Sequence, residues 1–294
     1  MRRVILTGDD FGLAVPVNEA IEEAHRRGAL TAASLMVGAP AAADAVERAR
    51  RLKTLRVGLH LVLVEGRPVL PAEAVPGLVD GSGELETRLF RAGLRFFFRR
   101  GVRRQLEAEI RAQFAAFRET GLALDHVNAH NHMHLHPTVL GLLLKVGREH
   151  GLRAVRLPRE PALLSWRAAG SGLGPRLLWA ALLWPWLALV AWRLRAAGVV
   201  HNEFLFGRND SGAMEEALVA RLVGRLPDGV SEICFHPATR RCPELDRHMP
   251  GYRHEQELQA LLSPAVGEAL RSAGAELIAF ADLWAAARPQ EGRC

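Results

Sequence analysis

Short apolar runs alternate with longer stretches of helical period along the whole chain, and this alternation restricts the fold more than any other feature. The runs are RVILTG from Arg3, LTAASLMVGA from Leu30, LRVGLHLVLV from Leu55, LALDHVNAH from Leu122, LRAVRLP from Leu152, EICFH from Glu232 and ELIAF from Glu276, with a weaker eighth, VVHNEFLF, from Val199. Between them, residues 17–27, 41–52, 105–120 and 255–273 carry apolar positions at helical spacing. Strands that are each followed by a helix pair in parallel and bury both faces. Seven or eight such units predict an α/β fold of one domain, a distorted (β/α) barrel of seven or eight parallel strands. A chain of 294 residues is long enough to close it. No repeat of fixed period divides the sequence.

Barrel chemistry gathers where strands end and loops begin, so polar residues at those ends form the candidate site. Asp9 and Asp10 follow the first run, His60 lies in the third, His130 ends the fourth and His236 ends EICFH. The segment HVNAHNHMHLHP, residues 126–137, holds five of the chain's twelve histidines. Alternate residues of a strand share a face, which would turn His130, His132 and His134 the same way if the strand continued through them. Two imidazoles and a carboxylate leave coordination positions open for water and substrate, as a hydrolytic metal site requires. Asp10, His60 and His130 are the expected set. Such donors suit zinc, iron, manganese or cobalt, whereas magnesium prefers more oxygen. Asp9 and Asp10 cannot share a face of a regular strand, yet at a strand end the backbone can turn both into one pocket, one as ligand and the other as proton acceptor. The plainer alternatives are an N-capping aspartate in a solvated turn, a packed role for His132, His134 and His136 around the turn before Pro137, and a His126 that satisfies a hydrogen bond beside Asp125. DFG at Asp10 imitates a kinase motif, but no nucleotide lobe accompanies it.

Composition removes other classes. The net charge of +6 rests almost wholly on arginine, with Lys53 and Lys145 the only lysines, and no nucleic-acid-binding motif accompanies it, so no nucleic acid partner is expected. Cys234, Cys242 and Cys294 show no CxxC spacing and are odd in number, which favours reduced thiols over a disulfide scaffold. MRRVILTGDD reaches two aspartates after a very short apolar run, so a first strand is expected there rather than a signal peptide, and a cytoplasmic location with it.

Taken in order, GDDFG at Gly8, GLHL at Gly58, NAHNHMH at Asn128 and FHP at Phe235 resemble the YdjC-like carbohydrate deacetylases over most of the chain. The resemblance implies a distorted barrel that uses one divalent metal ion, magnesium or zinc, to remove N-acetyl groups from amino sugars. It implies Asp10, His60 and His130 as metal ligands, Asp9 as general base, and His236 as the acid that protonates the leaving amine. Most members carry Asp two residues before the first metal-binding histidine of that motif, where this chain has Asn128. NAHNHMHLHP and an apolar insert at about residues 173–198 resemble the hopanoid biosynthesis-associated, HpnK-like branch, which implies a glucosamine-bearing hopanoid lipid as substrate.

A lipid connection also has physical grounds. LLWAALLWPWLALVAW, residues 177–192, runs without a charge between Arg176 and Arg193. It is short for a spanning helix and contains Pro185, so an interfacial or re-entrant segment is expected, with Trp179, Trp184, Trp186 and Trp192 at headgroup level. A buried hairpin or a homodimer interface is the alternative. RLFRAGLRFFFRRGVRR, residues 88–104, joins seven arginines to four phenylalanines without an acid, which suits peripheral contact with anionic lipid. A solvated arginine face is the alternative there. His132, His134, Arg156 and Tyr252 are expected to touch substrate, with a structural ion pair as the other role for Arg156 and a capped helix start as the other setting for Tyr252. The expected function is metal-dependent removal of an N-acetyl group from an amino sugar on a hopanoid lipid, at the inner face of the cytoplasmic membrane. Three alternatives stand beside it: a chitooligosaccharide-type deacetylase acting on a soluble sugar, a metallophosphoesterase, and a non-catalytic lipid- or metal-binding protein.

Overall fold

The computed structural model describes residues 1–286; Cys294, expected as a reduced thiol, lies outside the described residues. In chain order the elements are β1 (Arg2–Phe11), α1 (Val15–Arg27), β2 (Ala32–Leu35), α2 (Ala42–Arg51), β3 (Arg56–Leu61), α3 (Leu89–Phe98), α4 (Arg100–Glu119), β4 (Leu124–Ala129), α5 (Pro137–Glu149), α6 (Ala162–Ala169), α7 (Leu173–Ala196), β5 (Phe204–Phe206), α8 (Glu216–Val223), β6 (Gly229–Phe235), α9 (Pro243–His248), α10 (His254–Leu262), α11 (Pro264–Ser272), β7 (Ala275–Leu277) and α12 (Phe280–Ala286). Short 3₁₀ turns lie at Ala72–Ala74 and His130–Leu135. Every strand pairing is parallel, in the spatial order β4, β3, β2, β1, β6, β5, with β7 beside the start of β1.

The sheet curls into a barrel that is incomplete on one side. Between β4 and β5 it continues only as single bridges, Val127 to Val155 and Ala154 to Val200, so LRAVRLP forms two bridge residues instead of the strand expected. The cause is local. The side-chain amide of Asn202 stands in for a strand neighbour, accepting from Leu157 N–H at 2.7 Å and donating to Leu157 O at 2.9 Å, and Pro158 next to it has no N–H to offer. The single helix expected over residues 255–273 is two helices. Ser263 accepts from the N–H groups of Ala265 and Val266, and Pro264 opens α11 at its first position, where a missing N–H does no harm.

Side chains fill the barrel interior in layers. Ile5, Ala32, Ala154 and Val230 form the lowest layer, closed beneath by Phe280 and Leu283 of α12. Above them the layer turns polar. Thr7 Oγ1 donates to Glu232 at 2.8 Å, Ser34 Oγ meets His126 Nε2 at 3.1 Å, and His126 Nδ1 meets Asp125 at 2.8 Å. His126 stacks on Phe280 with ring centroids 4.6 Å apart. That ring fits because its neighbour on β3 is Gly58, where an added Cβ would lie 2.5 Å from the imidazole. His126 therefore belongs to the packing, one layer below the strand ends.

Helix α7 departs most from expectation. Pro185 lies inside one continuous helix of 24 residues, about 36 Å at the usual rise, in place of a hairpin or re-entrant segment. Helix continuity across a proline costs one backbone hydrogen bond, which the remaining turns tolerate. By length and composition this helix could cross a bilayer, and only 22% of its most apolar window is buried. Trp179, Trp184 and Trp192 are exposed, whereas Trp186 turns inward and donates from Nε1 to Leu135 O at 2.9 Å. Trp186 is thus a packing residue, which corrects its expected place at headgroup level. The arginine-rich helix α3 lies on the other side of the same turn, with Phe96 and Phe97 edge-on to His136. Three of the arginines in and before this helix are not free: Arg88, Arg91 and Arg95 converge on Glu86 at 3.1, 3.3 and 3.8 Å.

Candidate metal centre and its cavity

Asp9 and Asp10 reach one site because β1 stops being regular between them. Asp10 has φ of +60°, and the register of β1 against β2 slips between Gly8 and Phe11. The irregularity cancels the usual alternation of faces, so both carboxylates turn to the strand's C-terminal mouth. His60 enters from β3, and His130 is the first residue beyond β4.

Asp10 Oδ1 lies 3.3 Å from His60 Nε2 and 3.3 Å from His130 Nδ1. One ligand atom from each of these three buried residues falls within 4.8 Å of the others. Neither oxygen of Asp10 has a hydrogen-bond partner, although the residue is almost wholly buried. An orphaned buried carboxylate is costly unless a cation compensates it, and two imidazole nitrogens beside it complete a donor set that fits a divalent ion. Burial works to raise the Asp10 pKa, but His130 and His60 hold it well below the ordinary carboxylate range. Burial works against the charged form of His130 as well, yet Asp10 and then Glu65 raise its pKa to about 10.

Behind the ligands a polar relay fixes their orientation. His60 Nδ1 donates to Asn128 Oδ1 at 2.7 Å, which leaves Nε2 as the lone-pair face toward Asp10. The Asn128 amide then donates to Asp9 Oδ1 at 3.1 Å and to Ser34 Oγ at 3.0 Å. A carboxylate at this position could make the first contact but neither donation, so the amide ties the ligand His60 to Asp9 in one network. Arg156 holds Asp9 from below through Nη1 and Nη2, and holds Glu232 through Nε and Nη2 at 2.9 and 2.6 Å. Burial alone would raise the Asp9 pKa; the Arg156 guanidinium, with His60 and His236, keeps it far below the usual carboxylate value.

A cavity of about 240 Å³ opens above this floor, lined by Asp9, His60, His130, His132, His236 and Tyr252 among others. His236 is the first residue beyond β6 and faces Tyr252 edge-on at 5.2 Å, while its backbone N–H donates to the buried Glu257 at 2.5 Å. Tyr252 Oη meets Ser211 Oγ at 2.8 Å. Two expected substrate contacts lie behind the cavity instead. Arg156 has no exposed surface and spends its donors on Asp9 and Glu232, and His134 is fully buried with Nε2 on the Arg156 carbonyl at 3.1 Å. The chain leaves strand geometry at His130, so the alternation that would have aligned His130, His132 and His134 does not apply. Burial followed by the Arg156 charge lowers the His134 pKa to about 3, and burial followed by His134 lowers that of His132, which keeps both rings neutral.

Several site residues carry no sequence signal. Glu65, in the loop after β3, lies 3.8 Å from His130 Nε2 and accepts from Asn131 Nδ2 at 2.7 Å. Arg208, Ser211 and His248 reach the cavity from loops and from α9. The four non-glycine residues with positive φ among those described are Asp10, Glu65, Asn131 and His132. Glu65, Asn131 and His132 line this cavity and Asp10 lies between its His60 and His130, and such conformations cost roughly 1–3 kcal/mol each and collect at functional sites.

A family model described as "YdjC-like protein" matches residues 3–272. A carbohydrate deacetylase of Brevibacillus brevis is 41% identical over 156 residues, 53% of this chain and 59% of that protein, so the match spans less than two thirds of that relative. A carbohydrate deacetylase of Geobacillus stearothermophilus is 29% identical over 284 residues, 96% of this chain and 98% of that one. Among solved structures, a putative cellobiose-phosphate cleavage protein of Enterococcus faecalis V583 superposes with a TM-score of 0.72 at 25% identity, covering 96% of this chain and 98% of its own.

Proposed function

The chain belongs to the YdjC-like family, and on that premise we propose that it is a metal-dependent hydrolase that removes the N-acetyl group of an amino sugar. The observation that carries this is the orphaned Asp10 carboxylate between His60 and His130, with a second carboxylate, Asp9, on the same cavity. A storage or carrier site has no need of a second carboxylate placed for proton transfer.

Asp10, His60 and His130 would hold a divalent ion, which would supply Lewis acidity toward the acetyl carbonyl and the attacking water. Asp9 accepts the water's proton. Arg156 keeps it ionised, and Arg156 on both oxygens with Asn128 on Oδ1 fixes its orientation. The same pairing makes Asp9 a weak base at equilibrium, so the proton it takes is passed on instead of kept. His236, across the cavity at the end of β6, donates a proton to the departing nitrogen. Each such transfer contributes roughly 10²- to 10⁴-fold. His132 and Tyr252 contact the sugar.

The substrate in this proposal is a hopanoid carrying N-acetylglucosamine, met at the inner face of the cytoplasmic membrane. Exposed Trp179, Trp184 and Trp192 on α7 support the membrane contact. The test is acetate release by purified protein, with and without added zinc or magnesium, from an N-acetylglucosaminyl hopanoid and from a soluble chitooligosaccharide. Metal-dependent acetate from the lipid supports the whole proposal. Acetate from the soluble sugar alone removes the lipid assignment, and release that ignores chelation removes the metal.

A further inference from the structure

We infer that the groove between α3 and the His130–Leu135 turn binds the apolar aglycone of the substrate, a hydrocarbon joined to the amino sugar whose acetyl group is cleaved. The inference rests on the deacetylase proposal above and places the rest of the substrate. The groove has a volume of about 620 Å³, within the range of ligand sites of roughly 300–1,000 Å³. Its walls are Phe90, Leu94, Phe97 and Phe98 from α3, with Met133 and His136 opposite. Leu89, Asn131 and His132 line both this groove and the catalytic cavity, so the two adjoin along these residues. A sugar seated over Asp9 and His236 therefore has a path for its aglycone past His132.

The two sides of the cavity differ in polarity. A second recess of about 230 Å³ shares Glu65 and His248 with it, and sets Arg67, Glu84, Glu244 and Arg247 beside the apolar Leu13, Met36 and Val62. That side sets charged groups among its apolar ones, whereas the α3 side offers mainly hydrocarbon, with Asn131, His132 and His136 as its polar members. The arginines beside α3 do not make the groove an anion site, because Arg88, Arg91 and Arg95 are turned to Glu86. What remains open is the apolar face: Phe90 is 81% exposed, Leu94 44% and Phe97 43%. Three large apolar side chains left in water beside an active site gain from an occupant that covers them, and each methylene buried there strengthens binding up to roughly fourfold.

The probes are methyl, butyl and octyl N-acetyl-β-glucosaminides, assayed for acetate release below the concentration at which the octyl compound forms micelles. kcat/KM is expected to climb at least about tenfold from methyl to octyl. Phe90→Ser with Leu94→Ser, both at exposed positions, should flatten that slope. Gly93→Phe is the independent check. A Cβ at Gly93 meets only the His136 ring, at 3.6 and 3.8 Å, so a larger side chain fills the groove while favouring the helix. Loss of the slope in both variants supports the groove. Equal rates for all three probes, or a slope that survives both variants, overturn it while leaving the deacetylase proposal intact. A slope that appears only with micelles or vesicles assigns the apolar face to a membrane, and one that varies with protein concentration assigns it to a second copy; both overturn the inference. No acetate from any probe, the methyl compound included, overturns the deacetylase proposal and the groove with it.

Discussion

Replacing Arg156 by methionine parts the two carboxylates that it holds together. The guanidinium is wholly buried and serves Asp9 and Glu232 through two nitrogens each. Removing one partner of a buried ion pair costs roughly 3–5 kcal/mol because an uncompensated charge is left behind. Here two are left, so the upper end of that range is expected near neutral pH. The pH dependence should also change sign. In the native protein the Asp9 pKa is depressed, so its contribution is fully present above the ordinary value of 3.8 and is lost as the pH falls toward the folded value. Without Arg156, burial, already the largest single influence on Asp9, is no longer outweighed and raises its pKa. The variant is then most stable below the ordinary value and loses stability as the pH rises through the new folded one. Urea unfolding at about pH 5.5 and about pH 8 reads this directly, with the deficit larger at the higher pH by about 1.4 kcal/mol for each unit by which the folded pKa of Asp9 in the variant exceeds the lower assay pH. Arg156→Met combined with Glu232→Gln should recover part of the loss. A deficit below about 1 kcal/mol, equal at both pH values, would refute the electrostatic account of the site floor.

Other expectations rest on separate contacts. With the His130 pKa raised to about 10 in the ion-free protein, binding a divalent ion displaces a proton, so zinc affinity should climb about tenfold per pH unit below that value; titration calorimetry in buffers of different ionisation enthalpy would detect the proton, and pH-independent affinity would contradict it. Gly58→Ala places a methyl 2.5 Å from the His126 ring and 2.6 Å from its carbonyl oxygen, and overpacking of this kind should destabilise by roughly 1–3 kcal/mol in chemical denaturation. Substituting serine for Trp179, Trp184 and Trp192 together should abolish flotation with anionic liposomes while leaving the fold intact by circular dichroism, and unchanged flotation would remove α7 from the membrane contact.

Much of the fold was legible because short runs rich in apolar residues alternate with helical periods, as parallel strands covered by helices require, and β1, β3, β4 and β6 fall on such runs. Their C-terminal ends then mark the site, which is how Asp9, Asp10, His60, His130 and His236 arrive together. The remainder depends on partners far away in sequence. Nothing in LRAVRLP reveals that Asn202 will imitate a strand beside Leu157, so the barrel's open side was unreadable. Arg156 looked available to substrate because its two buried carboxylates lie 147 and 76 residues away. His134 followed the alternation rule into the wrong place, since the strand ends at Ala129 and a turn begins with Asn131 and His132 at positive φ. Glu65, Arg208 and His248 come from loops and a short helix whose placement no periodicity encodes. Asn128, by contrast, was visible as a departure from the family motif, and its amide proves to be the link between His60 and Asp9.

The division of labour between adjacent aspartates is the central claim, and Asp9→Asn tests it most directly. Purified variant protein would be assayed for bound metal by elemental analysis and for turnover on the same preparation, beside Asp10→Asn and His130→Ala. The account predicts that Asp9→Asn keeps its metal and loses roughly 10²- to 10⁴-fold in kcat, while the other two lose the metal and the activity together. An Asp9→Asn protein that loses its metal, or that keeps near-native turnover, would contradict it.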